Sequence, residues 1–471
     1  MVMDMYELTM SNGYLNQGFK DTWVAFDVFY RNNPDNGGFA IFAGLQQVVE
    51  YIENLHFSEE DVEYLRSKRL FTEEFLEYLL HFRFRGDIYA MKEGTVMYPN
   101  EPVMTVVAPL IDAQLIETTI LLEINHQSLI ATKTNRIVQA ANGKPVSDFG
   151  ARRAHNVDAA VYGARAAYIG GAAGTATVLA GKMFHIPISG TMAHSWVMTF
   201  DSEYDAFKAY AESYPDGTVL LVDTYDVLKS GVPNAIRTAR EVLEPMGKKL
   251  IGIRLDSGDL AYLSKEARKM LDEAGLSDCM IVASNSLDEY TISSLNRQGA
   301  KIDSYGVGER LITSSSTPVF GAVYKLVAIQ KDGKFIPKIK ISETAEKITN
   351  PGIKEVYRVY DENGKAVADY LAVKGEQIRD LEPVRYVDPV NYWKNRSFVG
   401  CRFKKLQVPV FEKGKRIYDL PDIEEIRQYV KDQLENEIWE EEQRFENAHT
   451  HYLDMSPAMF ELKMSLLHEE N

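Results

Sequence analysis

The feature that most constrains the fold is a regular alternation of apolar runs and helical patterns between about residues 145 and 330. The apolar runs TVLLVDTYD, KLIGIRLDSGD, CMIVASN and IDSYGVG are separated by the amphipathic segments PNAIRTAREVLE, AYLSKEARKMLDEAG and LDEYTISSLNRQG. Each apolar run is continuous, which is typical of parallel strands that are covered by helices. The alternation therefore predicts a train of βαβ units.

The carboxyl ends of these predicted strands carry residues suited to ligand binding, namely Asp223, Asp256, Asn285 and Gly308. In a closed α/β barrel the strand ends meet on one face, and that face carries the chemistry. An open doubly wound sheet also gathers its ligands at the carboxyl ends of its strands. The spacing alone leaves both architectures open.

The chain of 471 residues is long enough for more than one domain. Residues 1–118 mix strand and helix patterns, and the long helical pattern of residues 113–141 leads into the βαβ region. Beyond residue 330 come two hairpin patterns with Asp-Gly and Asn-Gly turns, followed by a charged amphipathic helix that starts near residue 421. We predict three segments, which are a mixed α/β region at 1–118, the βαβ region with its leading helix at 119–330 and a C-terminal extension of hairpins and helices at 331–471.

Composition excludes several classes of partner. The formal net charge of −16 argues against a general surface for nucleic acid or anionic membrane, so an anionic substrate needs a local basic pocket. No stretch approaches the roughly 18 apolar residues of a membrane span, and the first residues do not resemble a signal peptide. Only Cys279 and Cys401 are present, which excludes a Cys-based zinc site and predicts a reducing, cytoplasmic setting.

Two arginines in DFGARRAHN stand directly after a predicted strand and before a helix. A guanidinium at that place can bind a carboxylate or phosphate through two hydrogen bonds. Because adjacent side chains diverge, at most one of Arg152 and Arg153 is expected to enter a pocket. The alternative is a solvated pair at the start of the helix.

The segment IGIRLDSGD brings a cation and carboxylates together at the next strand end. Arg254 and Asp256 suit an anionic ligand bound with Mg²⁺, which prefers one or two carboxylates plus ligand oxygens. The alternatives are a structural Arg254–Asp256 ion pair and a helix-capping role for Asp259. Further along, the Gly-x-Gly turn and clustered hydroxyls of YGVGERLITSSSTP form a candidate phosphate nest.

Four other positively charged or titratable positions stay open on sequence alone. His194, in ISGTMAHSWVMTF, is either a core histidine bonded to a backbone carbonyl or a functional group. Lys133 and Arg136, spaced i and i+3, are either phosphate contacts or a solvated helix face. Lys325, in the YKL segment of a predicted strand, is similarly open.

The motifs DMYELTM, DFGARRA, GTMAHSW, IRLDSGDL and GAVYKLV occur in an order that resembles the nicotinate phosphoribosyltransferases over nearly the whole chain. The resemblance implies that nicotinate and 5-phosphoribosyl 1-pyrophosphate form nicotinate mononucleotide and pyrophosphate for NAD synthesis. It also implies ATP hydrolysis coupled through a transient phosphohistidine. The implied fold is an irregular catalytic α/β barrel of the type II phosphoribosyltransferase kind at 119–330, packed with an open-faced α/β sandwich at 1–118 and a C-terminal helical and β extension at 331–471. The implied assembly is a homodimer with shared active sites.

The same resemblance assigns roles to individual residues. His194 matches the phosphorylated histidine. The chemistry of the implied reaction makes Asp256 a candidate catalytic carboxylate that holds the ribose hydroxyls and contacts Mg²⁺ together with the substrate. The positions implied for nicotinate are Tyr6, Phe149, Arg152, Thr191 and Arg254, with Tyr6 reaching the site of a neighbouring subunit. The positions implied for 5-phosphoribosyl 1-pyrophosphate are Ser284, Asn285, Gly306, Gly308 and Thr313. Glu309 departs from the small or hydroxyl residue expected beside that phosphate.

Three alternatives accompany this interpretation. One is a nicotinamide-specific transferase on the same fold. A second is a decarboxylating quinolinate enzyme, which would need additional basic residues for a second carboxylate and no phosphorylated histidine. The third is a catalytically silent sensor of NAD precursors, against which the acids at the strand ends and His194 argue.

Overall fold

The computed structural model describes residues 1–344 and 347–469, and the chain divides into two compact units. The first unit contains Met1–Leu129 together with the described part of Val319–Asn471, and the second contains Ile130–Pro318. The division of the chain at residues 118/119 and 330/331 stays a prediction. No described helix combines the length and the apolar character needed to cross a membrane.

The α-helices follow one another along the chain with short 3₁₀ and π turns between some of them. In chain order they are α1 (Met5–Asn16), α2 (Leu45–Asn54), α3 (Glu59–Ser67), α4 (Glu73–Leu80), α5 (Leu110–Gln114), α6 (Glu117–Ala140), α7 (Val157–Ile169), α8 (Val178–Phe184), α9 (His194–Thr199), α10 (Glu203–Ser213), α11 (Val232–Thr238), α12 (Leu260–Glu273), α13 (Glu289–Arg297), α14 (Glu309–Ile312), α15 (Ile423–Asp432), α16 (Glu440–Gln443) and α17 (Pro457–Glu469).

The described strands form three large sheets and a short two-stranded ladder. In chain order they are β1 (Trp23–Phe29), β2 (Ala40–Ile41), β3 (Asp87–Met91), β4 (Val96–Met97), β5 (Met104–Pro109), β6 (Val146–Asp148), β7 (Gly174–Thr175), β8 (Val219–Leu221), β9 (Gly252–Leu255), β10 (Met280–Ser284), β11 (Ser304–Val307), β12 (Val323–Lys331), β13 (Lys334–Pro337), β14 (Lys354–Tyr360), β15 (Ala366–Val373), β16 (Val384–Val387), β17 (Asn395–Phe398), β18 (Arg402–Lys405), β19 (Gln407–Glu412), β20 (Lys415–Arg416) and β21 (Leu453–Met455).

The first unit contains two of the large sheets. One is antiparallel, in the order β13-β12-β1-β5-β3-β19-β20, and the other has the order β17-β16-β21-β15-β14-β18. The predicted Asp-Gly turn joins β12 to β13, and both Asp332 and Gly333 have positive φ, as the tight turn of a two-residue hairpin requires. The second predicted hairpin joins β14 to β15. Both hairpin predictions are therefore confirmed.

The second unit is built on a six-stranded parallel sheet in the order β7-β6-β11-β10-β9-β8. Asp256, Asn285 and Gly308 each follow directly after a strand, and Asp223 lies two residues beyond β8. The predicted α/β class, with a parallel βαβ part and a β-rich C-terminal part, is confirmed. Its parallel strands carry the predicted residues to one edge of the sheet.

The solvated-face interpretation of Lys133 and Arg136 is wrong. Both side chains are buried on α6 and converge on Glu289, the first residue of α13. Lys133 Nζ lies 2.9 Å from Glu289 Oε1 and donates to Ser316 Oγ at 2.7 Å, and Arg136 Nε lies 3.0 Å from the same Glu289 oxygen. Buried charges need such partners, so this cluster fastens α6 to α13.

Candidate active site

The centre of the site is Arg254, on β9, held by three side chains. Its Nε donates to Ser284 Oγ at 2.8 Å, its Nη1 to Thr191 Oγ1 at 3.0 Å and its Nη2 to Asp256 Oδ1 at 2.8 Å. Ser284 also donates a short hydrogen bond to Asp256 Oδ1. The guanidinium is fixed in one orientation because every branch of it is bonded.

An aromatic ring lies beside this guanidinium. The Phe149 ring centroid is 5.6 Å from Arg254 Cζ, within the range of a cation–π contact. The ring packs against β11 at Gly306, where an added Cβ would lie 2.4 Å from Phe149 Cδ2. Glycine at position 306 therefore makes room for the ring beside Arg254.

His194, the first residue of α9, faces two carboxylates. Its Nε2 lies 3.8 Å from Asp256 Oδ2 and 4.0 Å from Asp223 Oδ1. Its Nδ1 lies 3.1 Å from Thr224 Oγ1. The ring thus has a neighbour at each nitrogen. Because the His194 side chain is 41% exposed, it is still open to a ligand. The core-histidine interpretation does not describe this environment.

Asp223 ties the ends of β8 and β9 together. Its Oδ2 accepts hydrogen bonds from the Asp256 backbone N–H at 3.0 Å and from the Ser257 hydroxyl at 2.6 Å. Its Oδ1 is buried and makes no hydrogen bond with the described residues. A buried carboxylate oxygen without a partner is costly, so this atom is a ready acceptor for a nearby N–H group.

Asp256 is held in its ionised form. Burial raises its pKa, but the hydrogen bond from Ser284 and the charge of Arg254 outweigh burial and hold the pKa below its usual value. Its Oδ1 is occupied by these two partners, whereas Oδ2 points toward the imidazole at 3.8 Å. Asp259 caps α12 by accepting from the Tyr262 backbone N–H at 3.0 Å, so the capping interpretation is confirmed.

The donor set fits a magnesium ion shared with a substrate. The Oδ2 atom of Asp256 makes no hydrogen bond with described residues, and a hard carboxylate oxygen is what Mg²⁺ prefers. Among the described residues no group of three or more His, Cys, Asp or Glu side chains is arranged to hold a metal ion. A cation at Asp256 would therefore need oxygen ligands from a bound molecule or water.

The residues predicted for the phosphate side lie at neighbouring strand ends. Asn285 is exposed directly after β10, and Gly308 precedes the short helix α14. The Thr313 hydroxyl donates to the Glu309 carbonyl at 2.7 Å. Ser284, by contrast, is engaged with Arg254 and Asp256.

The two adjacent arginines differ in their contacts. Both are exposed in the 3₁₀ turn Ala151–Arg153 that follows β6. Arg153 Nε lies 3.9 Å from Glu309 Oε2, while Arg152 makes no ion pair with any described residue. Of the two, Arg152 is the one available to an anion, and Glu309 is the partner of Arg153.

Tyr6 and Lys325 belong to the first unit, whereas Arg254 belongs to the second. Tyr6 is exposed on α1, and its pKa is raised by burial of the hydroxyl and by the nearby Glu117. Lys325 lies on β12, and burial lowers the pKa of its ammonium group.

From the sequence, Asp223 is a strand-end residue without an assigned role, and neither Thr224 nor Ser257 has a predicted role. The structure brings all three to His194 or to its neighbouring carboxylates. The available signal was the position of Asp223 at a strand end. Nothing in the sequence distinguished the Thr224 hydroxyl from an exposed one.

Comparison with protein families gives matches over most of the chain. Residues 1–125 match the nicotinate phosphoribosyltransferase N-terminal domain, residues 145–364 match the nicotinate phosphoribosyltransferase family and residues 353–463 match its C-terminal domain.

Individual proteins give the same result. The nicotinate phosphoribosyltransferase of Bacillus subtilis is 47% identical over 467 residues, which cover 99% of this chain and 94% of that protein. The nicotinate phosphoribosyltransferase pncB2 of Mycobacterium tuberculosis is 41% identical over 92% of this chain and 86% of its own length. The crystal structure of human nicotinic acid phosphoribosyltransferase superposes with a TM-score of 0.89 at 27% identity, covering 99% of this chain and 100% of that chain.

Proposed function

The chain belongs to the nicotinate phosphoribosyltransferase family, and we propose that it joins nicotinate to 5-phosphoribosyl 1-pyrophosphate. The products are nicotinate mononucleotide and pyrophosphate, in the synthesis of NAD from nicotinate. We further propose that hydrolysis of ATP to ADP and phosphate is coupled to this transfer through phosphorylation of His194.

The observation that carries the proposal is the pair of donors left on Arg254. Three of its five N–H groups bond to Ser284, Thr191 and Asp256, which leaves one on each terminal nitrogen without a described partner. Such a fork matches both oxygens of a carboxylate. With the Phe149 ring 5.6 Å from the guanidinium, an aromatic carboxylate such as nicotinate fits this corner. Arg152 is a further candidate contact for the same ligand.

The transfer step needs charge stabilisation more than proton removal. The ring nitrogen of nicotinate is already a nucleophile, and attack on C1 of the ribose releases pyrophosphate as positive charge develops on the sugar. The ionised Asp256 lies where it can hold ribose hydroxyls and stabilise that charge. Mg²⁺, when bound with the pyrophosphate, supplies positive charge to the leaving group. Asn285, Gly306, Gly308 and Thr313 are the proposed contacts to the phosphoribosyl group.

His194 is the proposed link to ATP. An imidazole is partly neutral near pH 7 and can accept a phosphoryl group directly. Phosphorylation adds roughly −1.5 to −2 charges, by analogy with phosphorylated hydroxyl groups. Since His194 Nε2 lies 3.8 Å from Asp256 Oδ2, that charge would act on the same carboxylate that serves the transfer step. This proximity supports coupling within one site.

We also propose a cytoplasmic homodimer in which Tyr6 of each protomer reaches the site of the other. Two free cysteines, Cys279 and Cys401, are compatible with a reducing compartment. Sedimentation analysis of the purified chain tests the assembly, because a monomer that is fully active at all concentrations would contradict shared sites.

A substrate competition assay tests the proposed activity. The purified chain is supplied with 5-phosphoribosyl 1-pyrophosphate, Mg²⁺, ATP and equal concentrations of nicotinate, nicotinamide and quinolinate. Nicotinate mononucleotide is the expected product, because only nicotinate presents one carboxylate to Arg254. Preferential use of nicotinamide would overturn the proposal, decarboxylation of quinolinate would indicate the decarboxylating relative, and no turnover would indicate a sensor.

A further inference from the structure

The two nitrogens of His194 meet different kinds of partner. Nε2 faces two carboxylate oxygens, at 3.8 Å from Asp256 and 4.0 Å from Asp223. Nδ1 faces the hydroxyl of Thr224 at 3.1 Å. The Thr224 hydroxyl makes no other hydrogen bond with described residues, so its orientation is free to suit the imidazole.

This difference selects one tautomer of the neutral ring. Ionised carboxylates only accept hydrogen bonds, and Asp223 Oδ1 is buried and accepts no hydrogen bond from a described residue. A lone pair on Nε2 would face these oxygens without a proton between them, so the proton belongs on Nε2. The lone pair of the neutral ring is then on Nδ1, where a hydroxyl can donate to it.

We infer that Thr224 is a positioning residue, whose hydroxyl holds the His194 ring so that Nδ1 is the atom that receives the phosphoryl group. The inference rests on the proposed coupling to ATP and adds to it the nitrogen used and the residue that selects it. Thr224 lies on the segment after β8, next to Asp223, so one short stretch of chain restrains both sides of the ring.

The step balances without another reactant. The Nδ1 lone pair forms the N–P bond as the bond between the γ-phosphorus and the bridging oxygen breaks, and ADP leaves with that electron pair. The proton stays on Nε2, where Asp223 and Asp256 stabilise the resulting positive charge on the ring. The Thr224 hydroxyl turns from the nitrogen to an oxygen of the transferred group, which is a stronger acceptor.

The test measures the amount and the isomer of phosphohistidine. The full-length wild-type protein, Thr224→Val, Thr224→Ser and the control Thr199→Val are incubated with ATP labelled in the γ-phosphate and Mg²⁺. Alkaline digestion then releases the phosphohistidine, and chromatography separates the Nδ1 isomer from the Nε2 isomer. Thr199 is exposed on the same helix as His194, and its hydroxyl donates to the Ser195 carbonyl at 2.7 Å.

The wild type and Thr199→Val are expected to carry the Nδ1 isomer. Thr224→Val is expected to form phosphohistidine about tenfold more slowly, the effect of losing one orienting hydrogen bond, with Nε2 isomer now present. Thr224→Ser is expected to restore both rate and isomer. A general folding defect would lower the amount of phosphohistidine but would not change its isomer.

Two results would overturn the inference while leaving the proposed function intact. One is wild-type protein that carries the Nε2 isomer, and the other is Thr224→Val with wild-type rate and isomer. Absence of phosphohistidine from the wild type, with product still formed from nicotinate, would instead remove the proposed coupling to ATP and the inference with it.

Discussion

Arg254 and Asp256 form an ion pair in which Nη2 lies 2.8 Å from Oδ1, and Ser284 bonds to both partners. The side chains are only 14% and 24% exposed, so the pair is shielded from screening by solvent. The guanidinium that we propose as the nicotinate contact is itself fixed by a carboxylate. The proposed selectivity for a carboxylate therefore depends on the shape of the guanidinium as well as on its charge.

Replacing Arg254 by lysine keeps the charge and removes the fork. We expect Arg254→Lys to lower kcat/KM for nicotinate by about 10–100-fold, the cost of losing one or two hydrogen bonds to a charged group. Steady-state kinetics with varied nicotinate measure this. Arg237→Lys, at an exposed ion pair with Glu241, is the matched control and keeps the wild-type value. An unchanged kcat/KM in Arg254→Lys excludes carboxylate binding by this residue.

Removing the charge of Asp223 is expected to weaken the coupling to ATP. Asp223→Asn keeps an acceptor for Ser257 and the Asp256 N–H but no longer stabilises positive charge on His194. We expect the stimulation of product formation by ATP to fall at least about tenfold. Asp216→Asn, at an exposed ion pair with Lys248, serves as control. Full stimulation by ATP in Asp223→Asn would show that this carboxylate does not serve the histidine.

The buried cluster of Lys133, Arg136 and Glu289 is expected to contribute to the free energy of unfolding. Glu289→Gln leaves Lys133 and Arg136 without their shared charge, and breaking a buried ion pair costs about 3–5 kcal/mol. Urea unfolding measures the loss, with the exposed Glu241→Gln as a control of little effect. If the variant is as stable as the wild type but binds ATP poorly, these cations contact phosphate and the structural role is wrong.

Asp454 is expected to make stability depend on pH. Burial, assisted by repulsion from Asp388, raises its pKa to about 7, so the folded chain holds this proton up to about pH 7. An unfolded chain releases it near pH ~4. The stability that this carboxyl group contributes is thus fully present below pH ~4 and is lost as pH rises through about 7.

The variant Asp454→Asn mimics the protonated group at every pH. We expect its melting temperature to exceed that of the wild type by a margin that grows from pH ~4 to about 7 and then levels off. The margin above pH 7 should reach at least about 2–4 °C, the shift produced by roughly 1 kcal/mol in a large domain. Asp278→Asn, at an exposed carboxylate, should show no such growth. A constant margin across this range would contradict burial of the charge.

Much of the second unit could be predicted because parallel strands impose a simple geometry. Asp256, Asn285 and Gly308 each follow an apolar run, so parallel strands place them at one edge of the sheet. This holds for a closed barrel and for an open sheet alike. The cap at Asp259 and the Asp-Gly hairpin turn followed from local chemistry. These predictions needed only contacts between neighbours in sequence or adjacent strands.

The predictions that failed or were missing depended on distant partners. The spacing of Lys133 and Arg136 identified a helix face, but Glu289 covers that face from far along the chain. The Thr224 hydroxyl gains meaning only because α9 brings His194 to within 3.1 Å of it. Hydrogen bonds between side chains remote in sequence leave no periodic pattern, so a single sequence could not reveal them.

We propose that His194 carries the phosphoryl group that couples ATP to nucleotide formation. To test this directly, the purified chain is incubated with γ-labelled ATP and Mg²⁺. One portion is digested to isolate the labelled peptide, and the intact protein of a second portion receives nicotinate and 5-phosphoribosyl 1-pyrophosphate. His194→Ala is the test variant, and His185→Asn, at an exposed position with positive φ that asparagine tolerates, is the control.

Acid-labile, base-stable label is expected on His194 in the wild type and in His185→Asn, released as nicotinate mononucleotide forms. His194→Ala should take up no label and should show only slow transfer that ATP does not stimulate. ATP hydrolysis that keeps step with product formation in His194→Ala would show that this histidine does not couple the two reactions.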